Sequence, residues 1–132
     1  MKMYTFSKEE RLCGEKLVSK LFHSGSSFVL YPFKVMWLKE TEAMMFPAKI
    51  VISAPKRRFK RSVDRNLLKR RIREAYRLHK EELLYAFLRD HQLQLLLGIT
   101  FIGKEVIGYD FIERRMKAML EKLKTSCNEA AG

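Results

Sequence analysis

The sequence predicts an α/β (α+β) two-layer sandwich, with a small mixed sheet and three helices in the order α-β-β(-β)-α-β-α. Apolar residues recur at helical spacing in three segments, and the segments between them are rich in β-branched and aromatic residues. The chain has 132 residues, of which 47% are hydrophobic and 11% aromatic, enough for the core of one domain. We therefore expect a single domain over residues 1–132.

A capping pattern and helical spacing predict the first helix. Ser7 precedes Glu10 by the three residues of a capping box, so the helix is expected to begin there. Apolar residues then recur at helical spacing until Gly25, which is expected to end it.

Two segments after this helix have the composition of strands. Residues 28–39 and 48–54 are β-branched, aromatic or otherwise apolar, and a short polar link joins them. We expect two strands that are antiparallel neighbours. Pro32 and Pro55 cannot donate a ladder hydrogen bond, so both are expected at strand ends, bends or edges.

The second helix is strongly basic. Its apolar spacing runs from Val63 to His79 and extends into residues 81–88, with Ser62 as the candidate cap.

A buried strand and a third helix complete the order. The apolar run within 92–103 has the length of one buried strand, and Gly108 and Asp110 open the last helix. The segment 126–132 is expected to be a frayed tail.

Most of the positive charge lies in one segment. The formal net charge is +12, from 27 Lys and Arg against 15 Asp and Glu. From Lys56 to Arg73, ten of eighteen residues are Lys or Arg and Asp64 is the single acid, so this segment contributes +9. Such a dense basic segment repels itself, and its usual partner is a polyanion, most commonly nucleic acid.

The charged residues of this segment share one side of the second helix. At about 100° per residue, six polar positions fall between 0 and 140°: Arg65, Lys69, Arg73, Asn66, Arg77 and Arg70. The apolar positions fall next to them, so Arg65 and Lys69 should be the most constrained cations. Because cations in the first turns oppose the helix macrodipole, binding explains them better than stability does.

Cysteine usage and hydropathy indicate a reducing, cytoplasmic location. Cys13 and Cys127 are far apart and form no CxxC pair, which disfavours a zinc site or a disulfide framework. The longest mainly apolar run, 93–102, is far shorter than the roughly 20 residues of a spanning helix, and no secretory signal pattern opens the chain.

The basic segment contains a known signature. It reads Arg65-Asn66-Leu67-Leu68-Lys69-Arg70-Arg71-Ile72-Arg73, preceded by Ser53-Ala-Pro-Lys56-Arg57. This pattern resembles the bacterial ribonuclease P protein subunit, in which an Arg-Asn-Arg segment leads into Lys-Arg and a further Arg on one helix. The order of predicted elements agrees with that family over almost the whole chain.

The resemblance implies a non-catalytic subunit of a ribonucleoprotein endoribonuclease that removes the 5′ leader of precursor tRNA. Its RNA carries the active site and the divalent metal, Mg²⁺, so no catalytic residue, metal or cofactor is expected on the protein alone. The implied partners are ribonuclease P RNA and precursor tRNA, with neither DNA nor a membrane. The residues expected to bind the catalytic RNA are Lys56, Arg57, Arg61, Arg65, Asn66, Lys69, Arg70, Arg71 and Arg73.

The resemblance also implies a cleft between the first helix and the sheet that accepts the single-stranded leader. The expected cleft residues are Val18, Phe22, Lys34 and Met36. Aromatic side chains stack on bases, and here Val18 and Met36 stand where the family has aromatic residues. Strand alternation puts Phe33 and Trp37 on the other face, where we interpret them as core.

A second departure lies in the signature itself. Leu67 replaces the second arginine of the family pattern. Arg71 follows one turn later, about 40° away, and we hypothesise that it restores the missing cation.

The sequence leaves three alternative functions to weigh. A ribosomal-type or RNA-assembly protein would share the basic face but have no role in cleavage. A protein nuclease would need catalytic groups, yet the histidines lack metal spacing and Glu9 and Glu10 are better interpreted as a solvated helix end. A helix-turn-helix DNA-binding protein would need a positioning helix before the basic one, where the sequence predicts a strand.

Overall fold

The computed structural model describes residues 6–131. Lys8–Glu10 form a 3₁₀ turn. The regular elements that follow are α1 Glu15–Ser24, β1 Ser26–Leu30, β2 Phe33–Lys39, β3 Ala48–Ser53, α2 Ser62–Lys80, a π-helical turn Glu81–Tyr85, α3 Ala86–Asp90, β4 Leu95–Phe101 and α4 Tyr109–Ala131. Helical backbone angles continue from α2 through the π turn into α3, so the predicted three helical bodies are confirmed.

The four strands form one mixed sheet in the order β1-β2-β4-β3. β2 is antiparallel to both β1 and β4, while β3 is parallel to β4. The expectation of two antiparallel neighbours was therefore wrong. Segment 28–39 turns at Pro32 to make a hairpin of β1 and β2, and β4 separates β2 from β3.

The central place of β4 agrees with its composition. Six of its seven residues are buried: β2 and β3 cover its two edges, and the helices cover its two faces, over Leu97 and Ile99 on one side and Leu96 on the other. A run of mainly apolar residues is the kind of strand that can be enclosed in this way. The prolines lie where their missing amide hydrogen does no harm: Pro32 in the β1–β2 turn and Pro55 beyond the end of β3.

The first helix begins later than expected. The Glu10 carboxylate accepts hydrogen bonds from the Ser7 amide at 2.9 Å and the Ser7 hydroxyl at 3.2 Å, but this pattern closes only the 3₁₀ turn. The chain then extends along β3, where Leu12 donates to the Ile50 carbonyl at 2.8 Å. α1 starts after Gly14, whose φ of 92° is a conformation that other residues rarely adopt.

Two further boundaries differ from the sequence prediction. Arg61 occupies the N-cap of α2 and Ser62 is its first helical residue, so Ser62 does not cap the helix. α4 continues past Ser126, where fraying was expected, because Cys127 is fully buried in the core. Gly132 lies outside the described residues.

The helices cover the two faces of the sheet unequally. α2 and α4 pack on one face, where Phe33, Val35 and Trp37 are buried with Leu97 and Ile99 of β4. The short α1 packs on the other face through Leu21, which contacts Leu96 in a much smaller cluster. Within residues 6–131, no helix combines the length and apolarity needed to cross a membrane.

Candidate nucleic-acid interface

The turn before α2 holds exposed cations on a rigid base. Lys56, Arg57 and Arg58 are exposed in this turn, which follows directly from the parallel strand β3. The amides of Arg58 and Phe59 both donate to the Pro55 carbonyl, at 3.1 and 3.2 Å. Phe59 is buried, with its ring centroid 5.7 Å from that of Phe101. One core aromatic residue thus fixes the turn.

Arg65 joins this turn to the helix. Its Nη1 donates to the carbonyls of Phe59 at 2.7 Å and Lys60 at 3.0 Å. These two bonds constrain Arg65, as expected, whereas Lys69, expected to be equally constrained, forms no hydrogen bond or ion pair among residues 6–131. The guanidinium still has donors available for another ligand, because five N–H groups exceed the two bonds formed.

The side of α2 next to Arg65 is polar and open to solvent. Asn66, Arg70 and Arg73 are exposed and Lys69 is half-buried, as the helical spacing predicted. The core side of the helix is formed by Leu68, Ile72, Ala75 and Tyr76, all fully buried. Among residues 6–131, none of the four polar side chains has a hydrogen bond or ion pair within the protein.

Arg71 lies on the other flank of α2. Its Nη1 donates to the Ile107 carbonyl at 2.5 Å, in the loop before α4, and its side chain is half-buried. The expectation that it replaces the arginine missing at Leu67 stays a prediction. Any ligand that contacts Arg71 would have to approach beside this loop.

The C-terminal half of α2 has a different electrostatic pattern. Arg77 binds the Glu74 carboxylate through Nε at 2.9 Å and Nη2 at 2.7 Å. His79 Nε2 lies 2.8 Å from the Glu113 carboxylate of α4. The hydrogen bond from Arg77 lowers the pKa of Glu74, and the one with His79 lowers that of Glu113. Arg77 and His79 therefore contact carboxylates within the protein, and these contacts join residues of α2 to each other and to α4.

A buried charge cluster beneath α2 was missed by sequence reasoning. Glu10 is 1% exposed and Lys80 2%, and the two form an ion pair. The Tyr85 hydroxyl also donates to Glu10, at 2.6 Å. Burial alone would raise the pKa of Glu10, but the hydrogen bonds from Lys80, Tyr85 and Ser7 outweigh it and lower that pKa. The interpretation of Glu10 as part of a solvated helix end was wrong.

The π turn explains how one carboxylate reaches both partners. Lys80 and Tyr85 are five residues apart, which in a regular α-helix places them about 140° apart. A π-helical turn pairs residue i with residue i+5, which brings these two side chains toward one side. No local signal in the sequence indicates this irregularity.

The expected cleft residues lie on the α1 side of the sheet. Val18 and Met36 are half-buried against the small Leu21 cluster. Phe22 is 52% exposed and Lys34 is exposed. By contrast, Phe33 and Trp37 are buried on the opposite face, which confirms their interpretation as core.

On this face of the sheet, one row of side chains that lie side by side across the strands is not covered by α1. Lys34 of β2 is paired with Thr100 of β4, and Thr100 with Ser53 of β3, so the three side chains share a face. In the next row, a Cβ on Gly98 would lie 3.1 Å from Leu21, so α1 sits directly over that position. The open row ends at Ser53, from which the chain runs into the basic turn. The cleft and the cationic surface are therefore contiguous.

The described residues contain no group of three or more His, Cys, Asp or Glu side chains that could hold a metal ion. The geometry instead provides a set of exposed cations on a fixed turn and helix, and an open sheet face with a partly exposed aromatic residue.

Comparisons with known proteins agree on one family. The family model described as Ribonuclease P matches residues 6–124. The ribonuclease P protein component of Porphyromonas gingivalis is 32% identical over 120 residues, covering 91% of this chain and 87% of its own length. That of Chlorobaculum tepidum is 35% identical over 119 residues, covering 83% and 77%.

Solved structures show the same fold. The Staphylococcus aureus RNase P protein superposes with a TM-score of 0.71 at 20% identity, covering 89% of this chain and 97% of that one. The Thermotoga maritima protein gives 0.66 at 19% identity, covering 86% and 96%. The family match favours the leading expectation over a ribosomal-type or assembly protein. The chain belongs to the ribonuclease P protein family, and it is the protein subunit of a ribonucleoprotein endonuclease that works with an RNA partner.

Proposed function

We propose that the turn before α2 and the solvent side of that helix bind the catalytic RNA of ribonuclease P. The observation that carries this proposal is the set of cations without partners inside the described chain, on a turn and helix fixed by Phe59 and Arg65. Lys and Arg held in this way release counterions when they neutralise RNA phosphates, and Arg can bind two phosphate oxygens at once. The residues assigned to this contact are Lys56, Arg57, Arg61, Arg65, Asn66, Lys69, Arg70 and Arg73, with Arg71 on the adjoining flank.

The cleft beside α1 is assigned to the 5′ leader of precursor tRNA. Phe22 offers an exposed ring for a base, and the open row from Lys34 to Ser53 leads toward the cationic turn. Stacking of a base on an aromatic ring contributes roughly 1 to 3 kcal/mol. Val18 and Met36 supply apolar but not aromatic walls, so Phe22 carries most of the stacking in this chain.

The role of the protein in catalysis is to bind and position RNA. We assign the Mg²⁺ that cleavage requires to the catalytic RNA, as the resemblance to the family implies. The cations reduce repulsion between the catalytic RNA and its substrate, and they therefore lower the Mg²⁺ concentration needed for processing. We place this function in the cytoplasm, with precursor tRNA as substrate and neither DNA nor membrane as a partner.

A reconstituted processing assay tests this proposal. The protein, added to its cognate catalytic RNA at low Mg²⁺, should restore removal of the leader, and the protein without RNA should cleave nothing. The complex should bind precursor tRNA more tightly than mature tRNA. Equal affinity for the two would rule out the leader contact.

Charge-matched variants locate the RNA contact. Changing Lys69, Arg70 and Arg73 together to Ala removes three cations without disturbing the bonds that Arg65 makes to the turn. Changing Arg114, Lys117 and Lys122 of α4 to Ala removes the same charge from exposed positions elsewhere. The first set should abolish stimulation at low Mg²⁺ and the second should not. Equal loss of stimulation from both sets would mean that the net charge of the protein, and not the position of these cations, is responsible for the stimulation.

A further inference from the structure

The segment before α1 is held against the edge of β3, with Arg11 exposed between two buried residues. Arg11 forms a parallel bridge with Ile50, and the next residue, Leu12, donates its amide to the Ile50 carbonyl. Glu10 ends the 3₁₀ turn and lies on the α2 side of the sheet, whereas Leu12 lies on the α1 side. Glu10 and Leu12 are 1% and 4% exposed, whereas Arg11 between them is exposed.

Buried contacts on both sides fix the position of Arg11. Glu10 is anchored below α2 by Lys80 and Tyr85, and Leu12 packs with Leu21 beneath α1. The backbone at Arg11 therefore cannot shift by one residue without exposing Leu12 and burying a guanidinium. This arrangement directs an arginine outward at a defined point of the sheet edge.

A groove at this edge brings Arg11 near the cationic side of α2. Its volume is about 170 Å³, and Arg11 and Arg73 are its two charged lining residues. The apolar part of the lining comes from Phe6, Leu12, Ile50, Val51 and Ile52. Neither arginine has an ion-pair partner among residues 6–131, and no acid lines this part of the groove.

The groove continues along the same edge. A second depression shares Arg11 and Cys13 with it and adds Lys8, Lys49 and one acid, Glu9. This lining favours an anionic ligand that extends along the edge of β3. Arg73 lies at one end of the combined groove and Lys8 and Lys49 lie at the other, while the apolar residues between them offer no hydrogen-bonding groups from their side chains.

We propose that this groove is an additional binding site for a phosphodiester strand of the catalytic RNA, with Arg11 and Arg73 as its phosphate ligands. The inference rests on the proposed function, since it extends the RNA contact from α2 across to the segment before α1. Catalytic RNA is favoured over the leader because Arg73 belongs to the α2 surface assigned to that RNA, and because Phe22 and Lys34 of the leader cleft do not line the groove. The exposed Lys34 of the leader cleft stands two strands away, on β2.

Binding to the catalytic RNA alone, without substrate, tests the site. Arg11→Ala should weaken binding on the order of tenfold at physiological salt, as expected for a charged hydrogen bond of about 1.4 kcal/mol or more. The slope of log K against log salt should fall by about 0.7 to 0.9, the contribution of one phosphate contact. Arg114→Ala, which removes an exposed arginine of α4, is the matched control and should change neither quantity.

The native cysteines allow a direct proximity test. Cys13 lines the groove and is exposed, whereas Cys127 is fully buried, so a thiol-reactive photo-crosslinker should label Cys13 selectively. After binding and illumination, the catalytic RNA should be crosslinked. A Cys13→Ser, Thr125→Cys variant places the same probe at an exposed position of α4 and should give no such product.

The outcomes separate this inference from the proposed function. If Arg11→Ala matches Arg114→Ala in affinity and salt slope while the Lys69, Arg70 and Arg73 variant loses binding, the groove is overturned and the α2 contact stands. Failure of Cys13 to crosslink to the catalytic RNA overturns the groove as well, and so does a crosslink to the leader only when precursor tRNA is added to the complex. If the variant with Lys69, Arg70 and Arg73 changed to Ala also keeps full binding, the proposed α2 contact is overturned, and the groove that extends it is overturned with it. Circular dichroism and urea unfolding of Arg11→Ala should match wild type, so that a binding loss is not a folding defect.

Discussion

The two halves of α2 use the same residue types for opposite purposes. From Arg65 to Arg73, the cations face solvent or bond to backbone carbonyls, and no carboxylate neutralises them within residues 6–131. From Glu74 to Lys80, Arg77, His79 and Lys80 each contact a carboxylate. Charge density alone therefore does not identify a binding surface, because part of the charge of this helix is neutralised within the protein.

The direction of the helix makes this difference more informative. Cations near a helix C-terminus are favoured by the macrodipole, and those near its N-terminus are opposed, by about 0.3 to 1 kcal/mol each. Arg65 lies in the first turn of α2, where the dipole opposes a cation. Arg77, His79 and Lys80 lie inside a helical body that continues to Asp90, so their carboxylate partners, rather than the dipole, stabilise them.

The largest effect is expected from the buried pair. Lys80→Met should leave the Glu10 carboxylate buried without its cation and lower the free energy of unfolding by about 3 to 5 kcal/mol. Urea denaturation measures this. Lys69→Met, on the solvent side of the same helix, is the control and should change stability by less than about 0.5 kcal/mol. A small effect of Lys80→Met would show that the pair does not hold the fold.

The next prediction concerns the solvent side of α2. Changing Lys69, Arg70 and Arg73 to Ala should lower the affinity for catalytic RNA on the order of 100-fold, since each lost charged contact is worth about 1 kcal/mol or more. The free energy of unfolding should stay within about 1 kcal/mol of wild type, because these side chains have no internal partners. Filter binding and urea denaturation give both quantities. A parallel loss of stability would contradict the division of the helix.

The flank of α2 offers a smaller effect. Arg71→Ala should weaken RNA binding by up to about tenfold if Arg71 replaces the cation missing at Leu67. Lys122→Ala of α4 is the comparison, because it removes one exposed cation from a different helix. Should the two variants bind equally well, the replacement hypothesis has to be dropped, and the bond from Arg71 to Ile107 would be its main role.

The buried pair of Glu10 and Lys80 should also make the stability of the protein depend on acidic pH, and this can be tested without mutating the cations on the solvent side of α2. The pKa of Glu10 is lowered below its usual 4.5 in the folded protein. Its contribution to stability is therefore present above that usual value and is lost as the pH falls through the lowered pKa. Unfolding measured between pH 6 and 3 should lose less stability in Glu10→Gln than in wild type, and identical pH dependence would contradict the assignment.

The smallest effect is expected at the surface pair. Arg77→Ala removes the bond to Glu74, which is partly exposed, and should cost about 0.3 to 0.5 kcal/mol. RNA binding should not change, because this cation already has a carboxylate partner. A clear loss of RNA affinity would move the boundary between the two halves toward the C-terminus.

How far the sequence predicts the structure depends on the range of the interaction. The position of α2 and its solvent side follow from local spacing, and Leu68, Ile72, Ala75 and Tyr76 are buried as that spacing requires. The place of β3 was not predictable, because its parallel pairing with β4 joins segments separated by the whole of α2. Local composition indicates that a segment forms a strand, but it does not indicate which other strand that segment pairs with.

The candidate site divides in the same way. The cations and Asn66 were named from the sequence because their type, density and spacing are local properties. Arg11 was not, because its role depends on Arg73 from a distant part of the chain meeting it at the edge of β3. Nor was Glu10, since an acid beside Ser7 fits an ordinary capping pattern until its burial under Lys80 is seen.

By itself, the sequence determined the fold class, the basic helix and the kind of partner, because periodicity and charge density act over a few turns of chain. Only the tertiary structure decided which charges have partners, since pairing depends on atoms brought together from distant segments. Lys80 and Arg73 are both cations of one helix. The carboxylate of Glu10, 70 residues away from Lys80, makes Lys80 part of the core, whereas Arg73 has no carboxylate partner within residues 6–131 and stays exposed.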